Sequence, residues 1–182
     1  MLDKKSHPDG KQFNYVSPNS DLLGWIIERS TGERFSDLFS DLFWKPLGAT
    51  MPSYITVDRL GAPRVAGGLC TTAIDLALVG QLFLDYGFTN GQQILPKNWL
   101  QDIQENGSRN AWLEGNFAEY FPNRDMHYRS KWYVDHGAND SKAELVFGLG
   151  VHGQNLFINS KNRIVIAKFS SQAAPLDPHL IP

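Results

Sequence analysis

Two short stretches of the sequence carry residue types and spacings that could do chemistry. The first is Tyr15-Val16-Ser17, a phenol and a hydroxyl two positions apart, directly ahead of a helical pattern. A tyrosine held there can relay a proton, and the serine can donate or accept a hydrogen bond beside it. The second is Gly150-Val151-His152-Gly153-Gln154, where glycines let backbone approach a ligand closely. Each also has an ordinary structural reading: a tyrosine before a helix packs with its hydroxyl satisfied, and a histidine between glycines is a turn residue. Other patterns fail in context. Gly148-Leu149-Gly150-Val151-His152-Gly153 spells the dinucleotide-binding glycines, yet a strand pattern follows, so no helix N-terminus awaits a pyrophosphate. The sequence has no Gly-x-Ser-x-Gly elbow and no phosphate loop. His127 and His136 lack ligand-like partners at metal spacing and are expected at the surface, so neither a metal nor a cofactor is expected.

The elements that must position these residues follow from apolar periodicity. Asn19-Ser20-Asp21 precedes Leu22, Leu23, Ile26 and Ile27 at helical spacing, and Gly32 stops the pattern. A second stripe, Phe35, Leu38, Phe39, Leu42 and Phe43, runs to Pro46, where proline is expected to forbid continuation. Thr72 and Asp75 stand at capping-box spacing ahead of a third helix ending near Gly87, and Pro96 is placed to open a fourth. From Asn106 to Arg129 the pattern breaks into Gly, Asn, Pro and scattered aromatics, a functional loop or lid. Beyond it come short β-branched and aromatic runs at 131–134, 145–149, 156–158 and 163–169. Asn159-Ser160-Lys161-Asn162 is turn chemistry, so the last two runs should form an antiparallel hairpin. Ile164 to Ala167 is apolar on both sides and is expected to be covered on both. The fold class is α+β: a helical subdomain over about 19–105, a loop or lid over about 106–130 and an antiparallel sheet over about 131–170, in one domain spanning 1–182. So few strands leave the sheet looking incomplete.

Several blocks in order resemble the 6-aminohexanoate-dimer hydrolases and related class C β-lactamase-like esterases. They are Phe13 to Trp25, Trp44-Lys45-Pro46-Leu47-Gly48-Ala49, Ala66 to Ala77, Asn90 to Pro96, Lys131-Trp132-Tyr133, and Gly150 to Gln154. The resemblance implies a β-lactamase/transpeptidase-like fold and hydrolysis of an amide or ester. In such enzymes the serine of Ser-x-x-Lys attacks the carbonyl, the lysine takes its proton and a tyrosine relays a proton to the leaving group. Tyr15 is the matching tyrosine. A backbone amide on the strand bearing a Lys-Thr-Gly-like motif completes the oxyanion hole, which puts Gly150, Val151 and His152 at the substrate, with Ser17 where many relatives have asparagine. Either Gly148-Leu149-Gly150 or His152-Gly153-Gln154 could occupy the motif's place, on a strand expected over Gly148 to Gly153. No lysine here has a serine three positions before it, so Ser-x-x-Lys is absent from these residues. The resemblance therefore reads the chain as a C-terminal part of a serine hydrolase, inactive when isolated. The competing reading is a nucleophile-less binding or regulatory module that keeps the pocket.

Composition limits the partners. Over 182 residues, Lys+Arg 17 against Asp+Glu 19 gives a formal charge of -2, with no electrostatic footprint for nucleic acid or an anionic membrane. No apolar run approaches the roughly 20 residues of a membrane helix. Cys70 is alone, which excludes an intrachain disulfide, and its apolar neighbour suggests burial. The opening Met1 to Pro8 has no apolar stretch after its charges and is not a signal peptide, so the cytoplasm is the default location. Asn106-Gly107-Ser108 and Asn139-Asp140-Ser141 fit the glycosylation tripeptide only by chance. A small-molecule amide or ester is the expected substrate of the full-length form. Self-association is expected through apolar surface around Ile164 to Phe169.

Overall fold

Pro18 presets the backbone for the first turn of helix α1 (Pro18–Thr31), and Gly32 ends it in the left-handed region at φ 77°, its N–H donating to the Glu28 carbonyl. The computed structural model describes residues 10–137 and 144–173. The opening Met1 to Pro8, the Asn139-Asp140-Ser141 tripeptide and the C-terminal tail lie outside the described residues. On α1 the apolar stripe is not the buried one: Leu22, Leu23, Trp25 and Ile26 are exposed, while Gly24 is buried. A Cβ on Gly24 would collide with the Val65 side chain, so glycine lets this helix lie directly on the 64–66 segment. Asp21 fastens the contact by accepting from the Ala66 N–H at 2.8 Å.

The second helical stretch is continuous but changes pitch: α2 (Phe35–Phe39), a π-helical turn (Ser40–Trp44) and α3 (Lys45–Leu47). The helix therefore passes Pro46, contrary to the expected stop, and ends at Gly48 with φ 79°. In a uniform α-helix the Leu42 carbonyl would meet the proline ring. The wider π turn just before the proline changes that spacing. Two short strands, β1 (Tyr54–Ile55) and β2 (Leu69–Cys70), pair antiparallel across the following loop. Cys70 is exposed there, not buried.

Helix α4 (Ala73–Leu84) is capped as its spacing predicts, with Thr72 Oγ1 accepting from the Asp75 N–H at 3.1 Å. The shorter acid departs from the usual reciprocal bond. The buried Asp75 carboxylate accepts from the Thr50 N–H at 2.6 Å and from the Thr50 and Thr72 hydroxyls. These donors, the Thr50 amide first, hold its carboxyl below the usual range. A tight hairpin of β3 (Phe88–Thr89) and β4 (Gln92–Gln93) leads to α5 (Lys97–Glu105), capped at Pro96.

The expected loop after α5 contains more structure than its composition suggests: α6 (Arg109–Leu113), a 3₁₀ turn (Ala118–Tyr120) and a first strand, β5 (Met126–Arg129). Strands β6 (Trp132–Asp135), β7 (Leu145–Gly150), β8 (Gln154–Asn159) and β9 (Ile164–Lys168) follow, all antiparallel neighbours in chain order. Period-2 alternation sorts the sheet into two faces. Val134, Val146 and Ile158 lie in register on the face covered by α4 and α5, with Phe83, Leu100 and Ile103. Tyr133, Phe147 and Phe157 lie on the other, under Trp112, Phe121 and Met126. Strand β9 is the outer strand, and it is covered on one side only. Val165 packs against Gly80 of α4, whereas Ile164 and Ile166 are half exposed, so the expectation of two covered faces fails. Among the described residues no helix is long and apolar enough to cross a membrane.

His127 and His136 are buried, not at the surface. His127 Nε2 stands 2.8 Å from the Ile103 carbonyl, which can only accept, so that nitrogen carries the proton. Its Nδ1 meets His136 Nε2 at 2.9 Å. The burial is thus satisfied by a contact from α5 that no local pattern in the sequence announces. Burial is also the main reason the His127 imidazole is held below its usual range.

Candidate active site

The segment carrying Tyr15 is laid against the α6 region like an extra strand. The Phe13 N–H donates to the Ala111 carbonyl at 2.8 Å, and the Phe13 carbonyl accepts from the Asn116 N–H at 3.3 Å. The Tyr15 N–H donates to Asn116 Oδ1 at 3.4 Å. Phe13 is the anchor: its ring stacks on Trp112 at 5.4 Å and meets Tyr128 at 4.4 Å. Two residues on, alternation turns Tyr15 toward Phe117, Tyr128 and Tyr133, with centroids 5.2, 6.3 and 6.5 Å away. Tyr15 keeps 37% of its surface open to solvent. Burial pushes the Tyr128 and Tyr133 phenols well above the usual range.

A cleft of about 320 Å³ opens at this point, with Tyr15, Ser17, Val65, Lys131, Gly148 and Leu149 among its walls. Ser17 is the N-cap residue of α1, but its side chain makes no capping bond. Tyr15 and Ser17 thereby line one cleft with the end of β7, across more than 130 residues of chain. The strand side differs in register: it is Gly148 and Leu149 that line the cleft, and Gly150, Val151 and His152 do not. The physical reason is a change of backbone. Strand β7 ends at Gly150, and Val151–Gly153 forms a 3₁₀ turn with His152 at φ 61°, so the expected strand does not reach Gly153. Val151 is exposed, and the His152 Nδ1 meets the Gln172 carbonyl at 3.0 Å.

Within β7 the two edges are unequal. Its pairing with β6 stops at Phe147, whereas its pairing with β8 continues to Gly150. Among the described residues, the edge of Gly148–Gly150 away from β8 therefore has no strand partner, which suits a backbone that must hold a ligand oxygen. Lys131 and Val65 had no role in the sequence reading. The signal available for Lys131 was its place beside Trp132 and Tyr133, in one of the blocks that carry the family resemblance. A second polar cavity of about 280 Å³ lies at the His127–His136 pair, with Arg109 and Glu105 at its walls. No group of three or more His, Cys, Asp or Glu able to hold a metal is present among the described residues.

The 6-aminohexanoate-dimer hydrolase of Paenarthrobacter ureafaciens is 36% identical over 168 residues, which is 92% of this chain and 41% of that protein. The chain thus spans about two-fifths of the length of that curated relative. A solved structure from Bacillus anthracis, provisionally named a 6-aminohexanoate-dimer hydrolase, superposes with a TM-score of 0.81 at 31% identity. The superposition covers 97% of this chain and 42% of that one. A provisionally named β-lactamase of Bacteroides dorei DSM 17855 shares the fold, with a TM-score of 0.66 at 23% identity over 93% of this chain and 54% of its own. The sequence profile of the β-lactamase family matches residues 3–181, and the chain belongs to that family.

Proposed function

We propose that this chain forms one side of a serine-hydrolase cleft that cleaves an amide or ester, and that it is inactive alone. One observation carries the reading: Tyr15 and Ser17 share a cleft with the unpaired edge of β7 at Gly148 and Leu149. Tyr15 relays the proton to the departing amine or alcohol, and a β7 backbone amide helps hold the carbonyl oxygen as it becomes an oxyanion. The nucleophile and its base come from a Ser-x-x-Lys segment outside these residues, since no lysine here follows a serine at that spacing. The substrate class is that of the relatives, a linear amide such as an aminohexanoate oligomer or a short acyl ester.

The test is reconstitution. The 182-residue chain should leave a chromogenic ester and the 6-aminohexanoate dimer at the buffer rate. Fused in frame to the part of the Paenarthrobacter relative that this chain does not cover, it should turn over at least one of them, and Tyr15→Phe in the fusion should lower kcat by roughly 10²- to 10⁴-fold. Turnover by the chain alone that one serine replacement abolishes would sink the proposal. The absence of Ser-x-x-Lys from the sequence favours a second reading, a binding module that keeps the pocket. That reading expects the fusion to bind the dimer without hydrolysing it.

A further inference from the structure

The cleft has a single charged residue among the described residues that line it, Lys131, and no carboxylate. The remaining walls are neutral, and one of them is a slab of aromatic rings from Phe13, Tyr128 and Tyr133. No carboxylate pairs with Lys131 among the described residues. The backbone that presents it is unusual. Arg129 pairs with Trp132 across the β5–β6 hairpin, leaving Ser130 and Lys131 as a two-residue turn with φ 49° and 73°. A turn with both residues at positive φ is the type that Asn-Gly forms readily, and a long side chain is strained there. Local backbone preference therefore disfavours lysine at 131, while the position puts a lysine among the walls of a cleft whose other described lining residues are uncharged.

We propose that Lys131 makes the cleft selective for substrates whose acyl or amine chain carries a carboxylate. The chain of such a substrate lies along the aromatic wall and its carboxylate meets the ammonium. This rests on the cleft being the substrate site, as proposed above, and it goes further by naming the group recognised.

The test is a chemical-shift titration of the 182-residue chain with three six-carbon probes: hexanoate, its neutral isostere hexanamide, and the cationic hexylammonium. Hexanoate should move the amides of Tyr15, Ser17 and Leu149, and bind roughly three- to tenfold more tightly than hexanamide, with hexylammonium weakest. Lys131→Met should remove that preference, and Lys45→Met, on the distant α3, should leave it. Lys131→Gly is the second variant, since glycine suits the turn and keeps the hairpin whatever methionine does to it. Equal binding of hexanoate and hexanamide, or a preference that survives both Lys131 variants, overturns the inference and leaves the cleft as a neutral site. Failure of all three probes to move Tyr15, Ser17 and Leu149 overturns the inference together with the reading of the cleft as the substrate site.

Discussion

In the sheet, Tyr133, Phe147 and Phe157 on one face and Val134, Val146 and Ile158 on the other are all buried. On α1, by contrast, Leu22, Leu23, Trp25 and Ile26 are each close to half exposed. Both sets follow the period of their element, so the sequence pattern is equally clear in the two places. What differs is the partner. The sheet receives α4 and α5 on one side and the α6 region on the other, whereas α1 meets the rest of the chain through Gly24 on Val65, Asp21 on Ala66 and Glu28, which accepts from the Phe35 N–H at the start of α2. Periodicity shows which side of an element is apolar, and only tertiary structure shows whether anything lies against it. The cleft sits between these two regimes, with Leu149 on the packed side and Ser17 on the sparsely held one.

The largest effect should come from the packed side. Trp112 is 1% exposed and carries the stack with Phe13, so Trp112→Ala should cost about 3–5 kcal/mol in urea denaturation. A loss below about 1 kcal/mol would mean that the aromatic layer is not a core. Next comes the open side of β9, where Ile164, Ile166 and Phe169 are exposed along an outer strand. We expect the chain to self-associate there, most simply as a twofold dimer. Sedimentation across concentrations should show association in the natural sequence and a monomer in the Ile164→Lys, Ile166→Lys pair. A natural chain that is monomeric at high concentration would refute this.

A smaller effect should follow pH. Burial holds the His127 imidazole below its ordinary 6.5, so the folded chain binds fewer protons there than the unfolded one. That contribution to stability is complete above 6.5 and is lost as pH falls from 6.5 through the folded value. The groups around it are His136, Arg109 and Asp125, of which the first two disfavour the added charge and the last favours it. Melting temperature should therefore decline from about pH 7.5 to about pH 5.5, and the decline should flatten in His127→Gln. An unchanged slope in that variant would assign the effect to other groups. The smallest effect belongs to the arm. Ile26→Ser should shift stability by no more than about 0.5 kcal/mol, and a larger loss would show that α1 is packed after all.

Much of this architecture was legible where local chemistry decides it. The Gly32 stop, the Thr72 cap and the turn at Asn159–Asn162 each depend on a few adjacent residues, and each stands where expected. The α+β class followed from pattern and resemblance in the same way. What was hidden depends on distant partners. His127 and His136 are buried because Ile103 supplies a carbonyl from α5, and β5 was concealed by a run, Met126 to Arg129, with no clean alternation. The register of the strand side was obscured by the glycines themselves. Gly153 announces a turn, but the chain already leaves the strand at Val151, with His152 also at positive φ.

The π-helical turn at Ser40–Trp44 has a meaning for how this chain tolerates insertions and deletions. Its widened loop closes where the Lys45 N–H reaches back five residues to the Ser40 carbonyl, accommodating one residue more than an α turn does. Trp44, at its end, is buried among Leu47 and Leu82 and donates from its indole N–H to the Met51 carbonyl at 2.9 Å. Removing one residue, Asp41 for instance, would let the backbone relax into an uninterrupted α-helix with better local hydrogen bonding. It would also carry everything upstream about 100° around the axis relative to Trp44, turning Phe39 away from the ring it stacks on at 5.6 Å. The extra residue therefore acts as a phase adjustment between two helical segments, and the stretch is one where a deletion that improves the helix would spoil the packing.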